Sequence, residues 1–111
     1  MTLATEKCEA CAAGTPVLEA DAVAKLHAEL NPAWTVDGTT LLRREYTFPN
    51  FNAAFTRATS IALIAEAQGH HPDLEVGWGR VVVSLTTHKI GGLSRNDFVM
   101  AARIDKLDAA G

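Results

Sequence analysis

Apolar side chains recur along the chain with two periods, and the switches between them mark the elements. Over residues 17–30, Val23, Leu26 and Leu30 fall at helical spacing with alanines between them. Asn31-Pro32 ends that helix, because the residue before a proline is pushed out of the helical region. Residues 33–36 and 39–48 then read as two strands joined at Asp37-Gly38, a dipeptide suited to the positive φ angles of a tight hairpin. In the second strand Leu42, Arg44, Tyr46 and Phe48 share one face, and Leu41, Arg43, Glu45 and Thr47 share the other. Arg44 is out of place on a mostly apolar face, and nothing in the sequence accounts for it.

Pro49-Asn50 opens the longest helix, with Asn50 a good N-cap. Phe51, Phe55, Ala58, Ile61, Ala62 and Ala65 recur at steps of three and four, so that face is expected to pack on the sheet. Gly69 suits the left-handed residue that often follows a helix end. A second hairpin is expected over residues 74–87, turning near Trp78-Gly79. Val81, Val83 and Leu85 are apolar there and Ser84 and Thr86 polar, so the odd positions face the core. After a Gly91-Gly92 loop, Ser94-Arg95-Asn96-Asp97 resembles a capping box with Asp in the Glu position. A last helix runs to about residue 107 with Phe98, Ala101, Ala102 and Ile104 along it. The order α-β-β-α-β-β-α predicts an α+β, two-layer fold: a four-stranded antiparallel sheet with three helices on one face. Residues 17–111 are expected to form a single domain, and residues 1–16 a flexible N-terminal tail.

Composition narrows the functional classes. The 111 residues are 48% hydrophobic and 21% charged, with a net charge of −3. An acidic chain has no general attraction for phosphate backbones, so nucleic-acid binding is disfavoured. No apolar run approaches the roughly 20 residues of a membrane span. The first residues have neither a basic start nor an apolar stretch, so no secretion signal is expected and the cytoplasm is the expected location. Cys8 and Cys11 form a CxxC with no second pair to complete a zinc site, and read as part of a reduced tail.

Three of the four histidines lie between His70 and His88. Histidine is the side chain suited to giving and taking protons near neutral pH. Glu66 stands four residues before His70, and Asp97 nine after His88, where carboxylates could orient imidazoles. His27, alone on the first helix, reads as a packing residue. The chain has no nucleophile elbow, phosphate-binding glycine loop or dinucleotide fingerprint. The histidine spacings match no metal motif, so no metal or other cofactor is expected. Both cysteines are remote from the histidines in sequence, which leaves proton transfer as the chemistry to expect.

Taken together, Glu66, His70-His71-Pro72, Trp78, His88 and Asp97 resemble the pattern of pterin-4a-carbinolamine dehydratases. The resemblance extends to Trp34, Tyr46-Thr47-Phe48, Phe51-Asn52, Ala54-Phe55, Ala65-Glu66, Thr87-His88 and Gly92-Leu93-Ser94. It covers roughly residue 26 onward, and the Cys-Glu-Ala-Cys tail looks like that of bacterial members. The resemblance implies dehydration of a 4a-hydroxytetrahydropterin to the quinonoid dihydropterin, which recycles the cofactor of aromatic amino acid hydroxylases. It implies His70 as general acid, His88 as a second acid–base group and His71 as a pterin-orienting residue. Glu66 and Asp97 would support the imidazoles, and Pro72, Trp78, Thr86 and Thr87 would belong to the substrate-binding surface. It also implies a homodimer or homotetramer. Animal members of the family additionally bind a transcription factor.

Overall fold

The computed structural model describes residues 2–10 and 12–110. Cys11 lies outside the described residues, and with it the Cys8/Cys11 pairing raised by the sequence. The chain forms α1 (Ala20–His27), β1 (Thr35–Asp37), β2 (Leu41–Thr47), α2 (Phe51–Gln68), β3 (Asp73–Gly77), β4 (Arg80–Leu85) and α3 (Arg95–Ala110). Short 3-10 turns occupy Leu3–Thr5 and His88–Ile90. This is the α+β order expected. Two hairpins build a sheet of order β1-β2-β4-β3, with every pairing antiparallel.

Register puts the apolar positions of the two central strands opposite one another. Leu42 faces Leu85, Arg44 faces Val83 and Tyr46 faces Val81. All six are buried, and the five other than Arg44 belong to the core. The opposite face carries Arg43, Glu45, Thr47, Asp73 and Glu75, which are exposed, as is usual for an antiparallel sheet covered on one side.

The face that α2 packs inward is the expected one at Ala58, Ile61 and Ala65 but not at Phe51, Phe55 and Ala62. Ala54, Ala58, Ile61 and Ala65 are buried, whereas Phe51, Phe55 and Ala62 are exposed. Both sets keep helical spacing, so period alone could not choose between them. The small alanines let the helix approach the sheet and α3 closely, and the bulky phenylalanines are turned to solvent. Asn50 caps the helix as expected, its Oδ1 accepting from the Ala53 N–H at 2.8 Å.

Arg44 now has a physical account. One terminal nitrogen lies 2.7 Å from Asp105 and the other 2.9 Å from Asp108, both on α3. Its guanidinium also lies 4.1 Å above the Tyr46 ring. Asp105 further accepts from the Trp34 indole N–H at 2.7 Å and the Asn31 N–H at 2.9 Å. A charge on the core face is tolerated because it is paired and hydrogen-bonded. His27 serves packing, its Nε2 lying 2.7 Å from the Trp34 carbonyl.

The N-terminal residues pack onto α3. Leu3 is 2% exposed and joins the core. Arg95 holds the Glu6 carboxylate through two bonds of 2.7 and 2.6 Å, and Arg103 donates to the Glu6 carbonyl. The cause lies in α3, where residues 98–102 are all buried. A helix apolar on every side needs cover on more than one side. The sheet and α2 supply one part of that cover and the N-terminal segment another.

Candidate functional site

Helix α2 delivers the first histidine. Gly69 takes φ +65° just after the helix, a conformation that costs glycine little. The Ala65 carbonyl accepts from both Gly69 and His70, at 3.3 Å for His70, so the chain turns sharply off the helix axis. That turn brings His70 Nε2 to 2.6 Å from Asp97 Oδ1.

Asp97 has no solvent exposure, and its oxygens are fully used. Oδ2 accepts from the Thr87 hydroxyl at 2.8 Å and from the Ser94 N–H at 2.9 Å. The single Thr87 proton goes to the carboxylate, so the Ser94 hydroxyl donates to Thr87 Oγ1 at 2.7 Å. The Ser94–Asp97 bond is the carboxylate half of the expected capping box, while the serine hydroxyl turns to Thr87. Asp97 also lies in the first turn of α3, where the helix dipole favours a negative charge. A carboxylate offers only acceptors, so His70 Nε2 carries the proton of their hydrogen bond. Nδ1 is then the nitrogen left to exchange a proton with a ligand.

The other two histidines are held more loosely. His71 Nε2 lies 2.8 Å from Glu66 Oε1, and both side chains are largely exposed. Adjacent histidines therefore reach different carboxylates. His88 opens the 3-10 turn after β4 and is 78% exposed, with Nε2 3.9 Å from Asp73 Oδ2, beyond hydrogen-bond distance. Close packing sets the loop behind it. A Cβ on Gly92 would stand 2.7 Å from Val17 Cγ1, and Thr87 forms a β-bridge to this glycine.

A cavity of about 570 Å³ is lined by His70, His71, His88, Thr86 and Thr87. Its size suits a small organic ligand. Glu66 and Asp97 are bonded to imidazoles of the lining without being part of it. The Thr86 hydroxyl is bound to the Thr40 carbonyl at 2.6 Å, and that of Thr87 is committed to Asp97. Pro72 and Trp78 are absent from the lining. Trp78 is 74% exposed at the tip of the β3–β4 hairpin, one strand length, roughly 17 Å, from the end that bears the histidines.

Sequence reasoning missed Cys8, Glu9, Ala10, Gln68, Lys89 and Asn96, all of which line the cavity. Gln68, Lys89 and Asn96 adjoin predicted site elements and were within reach of inference. Cys8 was dismissed for its distance in sequence, but folding brings it to the histidines, its thiol 3.6 Å from the Asn96 carbonyl. Among the described residues, no group of three or more His, Cys, Asp or Glu side chains is arranged to hold a metal ion. No helix is long and apolar enough to cross a membrane.

On the two-layer α+β scaffold the cavity gathers three imidazoles, one of them fixed by a buried carboxylate. The chain belongs to the pterin 4 alpha carbinolamine dehydratase family, whose model matches residues 16–107. A protein of Alkaliphilus metalliredigens is 44% identical over 104 residues, covering 94% of each chain. One of Chlorobium limicola is 50% identical over 100 residues, covering 86% of this chain and 87% of its own. Each is described as a "putative pterin-4-alpha-carbinolamine dehydratase". The chain is also similar to the crystal structure of a transcriptional coactivator/pterin dehydratase from Brucella melitensis. That match has a TM-score of 0.75 and 30% identity, over 83% of this chain and 98% of that one. A pterin dehydratase-like RuBisCO assembly factor of the alpha-carboxysome shares the fold, with a TM-score of 0.58 and 23% identity over 68% of this chain and 88% of its own.

Proposed function

We propose that the protein dehydrates a 4a-hydroxytetrahydropterin to the quinonoid dihydropterin by histidine proton transfer, recycling the cofactor of an aromatic amino acid hydroxylase. The observation that carries this reading is the 2.6 Å bond between His70 and the buried Asp97 at the edge of the shared cavity. In the reaction the C4a–O bond breaks and the leaving oxygen takes a proton, departing as water. The N5 proton is lost to a base, and its electron pair forms the N5=C4a double bond. No electrons are exchanged, so the step needs acid–base groups alone.

His70, protonated on both nitrogens, donates from Nδ1 to the 4a-hydroxyl while Nε2–H stays on Asp97. Asp97 fixes the orientation of the ring. His88, exposed at the cavity, takes the N5 proton. His71 orients the pterin, with Glu66 steadying it. Thr86, its hydroxyl already engaged, contributes backbone groups to the pterin edge, while Thr87, whose backbone and hydroxyl are both committed within the protein, offers only its packing surface. Acid–base help of this kind is worth roughly 10²–10⁴-fold in rate.

Stopped-flow dehydration of the 4a-hydroxy adduct tests the reading. Wild-type rates in both His70→Ala and His88→Ala would remove the assignment. Self-association belongs to the same proposal. Phe51, Phe55 and Leu63 stand exposed along α2, which supports contact with a second copy. Light scattering at micromolar concentration should then show a dimer or tetramer rather than a monomer.

A further inference from the structure

We infer that the N-terminal segment Glu6–Ala10 is a built wall of the ligand pocket that sets affinity for the pterin. The inference rests on the pterin reading of the site. Cys8, Glu9 and Ala10 line the same cavity as His70, His71 and His88.

The wall is fastened along its length. The Cys8 N–H donates to Gln68 Oε1 at 2.9 Å, tying the segment to the last residue of α2. The Glu9 N–H donates to Asn96 Oδ1 at 2.9 Å, and the Asn96 amide returns a bond to the Glu9 carbonyl. Glu6 is gripped by Arg95 through its carboxylate and by Arg103 through its carbonyl. The paired guanidinium holds the Glu6 carboxyl below its ordinary range. Leu3 anchors the segment in the core.

These fastenings share elements with the histidines. Gln68 binds the wall two residues before His70. Asn96 binds it one residue before Asp97, which holds His70. One helical turn thus positions both the imidazole and the surface facing it. The backbone N–H of Cys8 and both polar backbone groups of Glu9 are consumed in holding the wall. Residues 8–10 then present the surface that touches the part of the pterin beyond reach of the imidazoles. Such contacts are equal in ground and transition states, so they act on KM rather than kcat.

The test loosens the wall at the Glu6–Arg95 fastening, outside the pocket lining, and separately removes it. Arg95→Ala and Glu6→Ala, and separately a chain lacking residues 2–10, are compared with the full chain in the dehydration assay. KM for the 4a-hydroxy adduct should rise roughly tenfold with kcat within about twofold. The reversed pair, Glu6→Arg with Arg95→Glu, should recover much of the affinity. A second readout needs no pterin: acylation of His70 by diethyl pyrocarbonate, resolved by peptide mass, should be several-fold faster once the segment is released. Unchanged KM together with unchanged His70 acylation in the shortened chain overturns the inference. A full-length protein with no dehydratase activity overturns the pterin reading instead, and the acylation rates still decide whether the segment covers the site.

Discussion

The two ends of α3 use the same device for different purposes. At its start Asp97 holds His70, brought from the end of α2. Toward its end Asp105 and Asp108 hold Arg44, brought from β2. In each case a carboxylate on the helix fixes a basic side chain from another element, with further donors completing its bonds. The difference lies in the base. A guanidinium keeps its charge at any ordinary pH, so the Arg44 cluster is a permanent clamp between sheet and helix. An imidazole gains and loses a proton near neutrality, so the same arrangement around His70 becomes a site able to do chemistry. His70 lines a cavity, whereas Arg44 is buried beneath the sheet with its guanidinium over the Tyr46 ring. A buried ion pair is therefore weak evidence of function until its partner can titrate and reach a ligand.

Four substitutions would break or sharpen this contrast. His70→Ala should lower kcat/KM by roughly 10²–10⁴-fold, with a stability cost of about 1.5–3 kcal/mol for the lost bond to Asp97. A loss under tenfold would remove the functional half of the comparison. Asp105→Ala should act on stability instead, costing about 1–3 kcal/mol for each donor left unpaired, the Trp34 indole and the Asn31 N–H, while Arg44 keeps Asp108. Urea unfolding measures this, and the folded fraction should keep its turnover number.

Asp97→Asn keeps the size of the side chain but removes a charge-assisted bond worth about 1.5–3 kcal/mol. Dehydration should slow roughly 10- to 150-fold, less than on loss of His70 itself. Tyr46→Phe should have the smallest effect, within about 1 kcal/mol near neutral pH, because among the described residues the buried Tyr46 hydroxyl has no hydrogen-bond partner. At high pH the two proteins should part. Burial pushes the Tyr46 phenol up from 10.0 to about 12, with Asp105 and Asp108 adding to the rise and Arg44 and Arg57 opposing it. The folded state thus holds a proton that the unfolded state loses. Stability from this group is complete below pH 10 and lost as the pH climbs toward 12, a loss that Tyr46→Phe should lack. Parallel alkaline unfolding curves for the two would refute this account of Tyr46.

Much of the fold was legible because the local signals agreed. Asn50 and Gly69 each act through backbone conformation or a bond spanning a few residues, and both stand where the pattern put them; the first hairpin is one residue off, since Asp37 still pairs in β1 with Leu41 and only Gly38 of the dipeptide takes a positive φ. The misread elements are those where two surfaces competed. Both stripes of α2 keep helical spacing, and only the close approach of sheet and α3 selected Ala54, Ala58, Ile61 and Ala65 over Phe51 and Phe55. In the site, the histidines and their carboxylates could be named from residue type, but not how they pair. Glu66 serves His71, and Asp97 serves His70.

By itself the sequence determined the order of elements, the strand faces and the histidine-rich end of the second hairpin, because period, caps and turns are written within a few residues. Only the tertiary structure decided that Arg44 is neutralised by α3, that Trp78 stands away from the pocket, and that the N-terminal residues reach the histidines. Those contacts join residues 60 to 97 positions apart. No local pattern encodes such pairings. They follow from which buried groups still lacked a partner once the sheet and helices had packed.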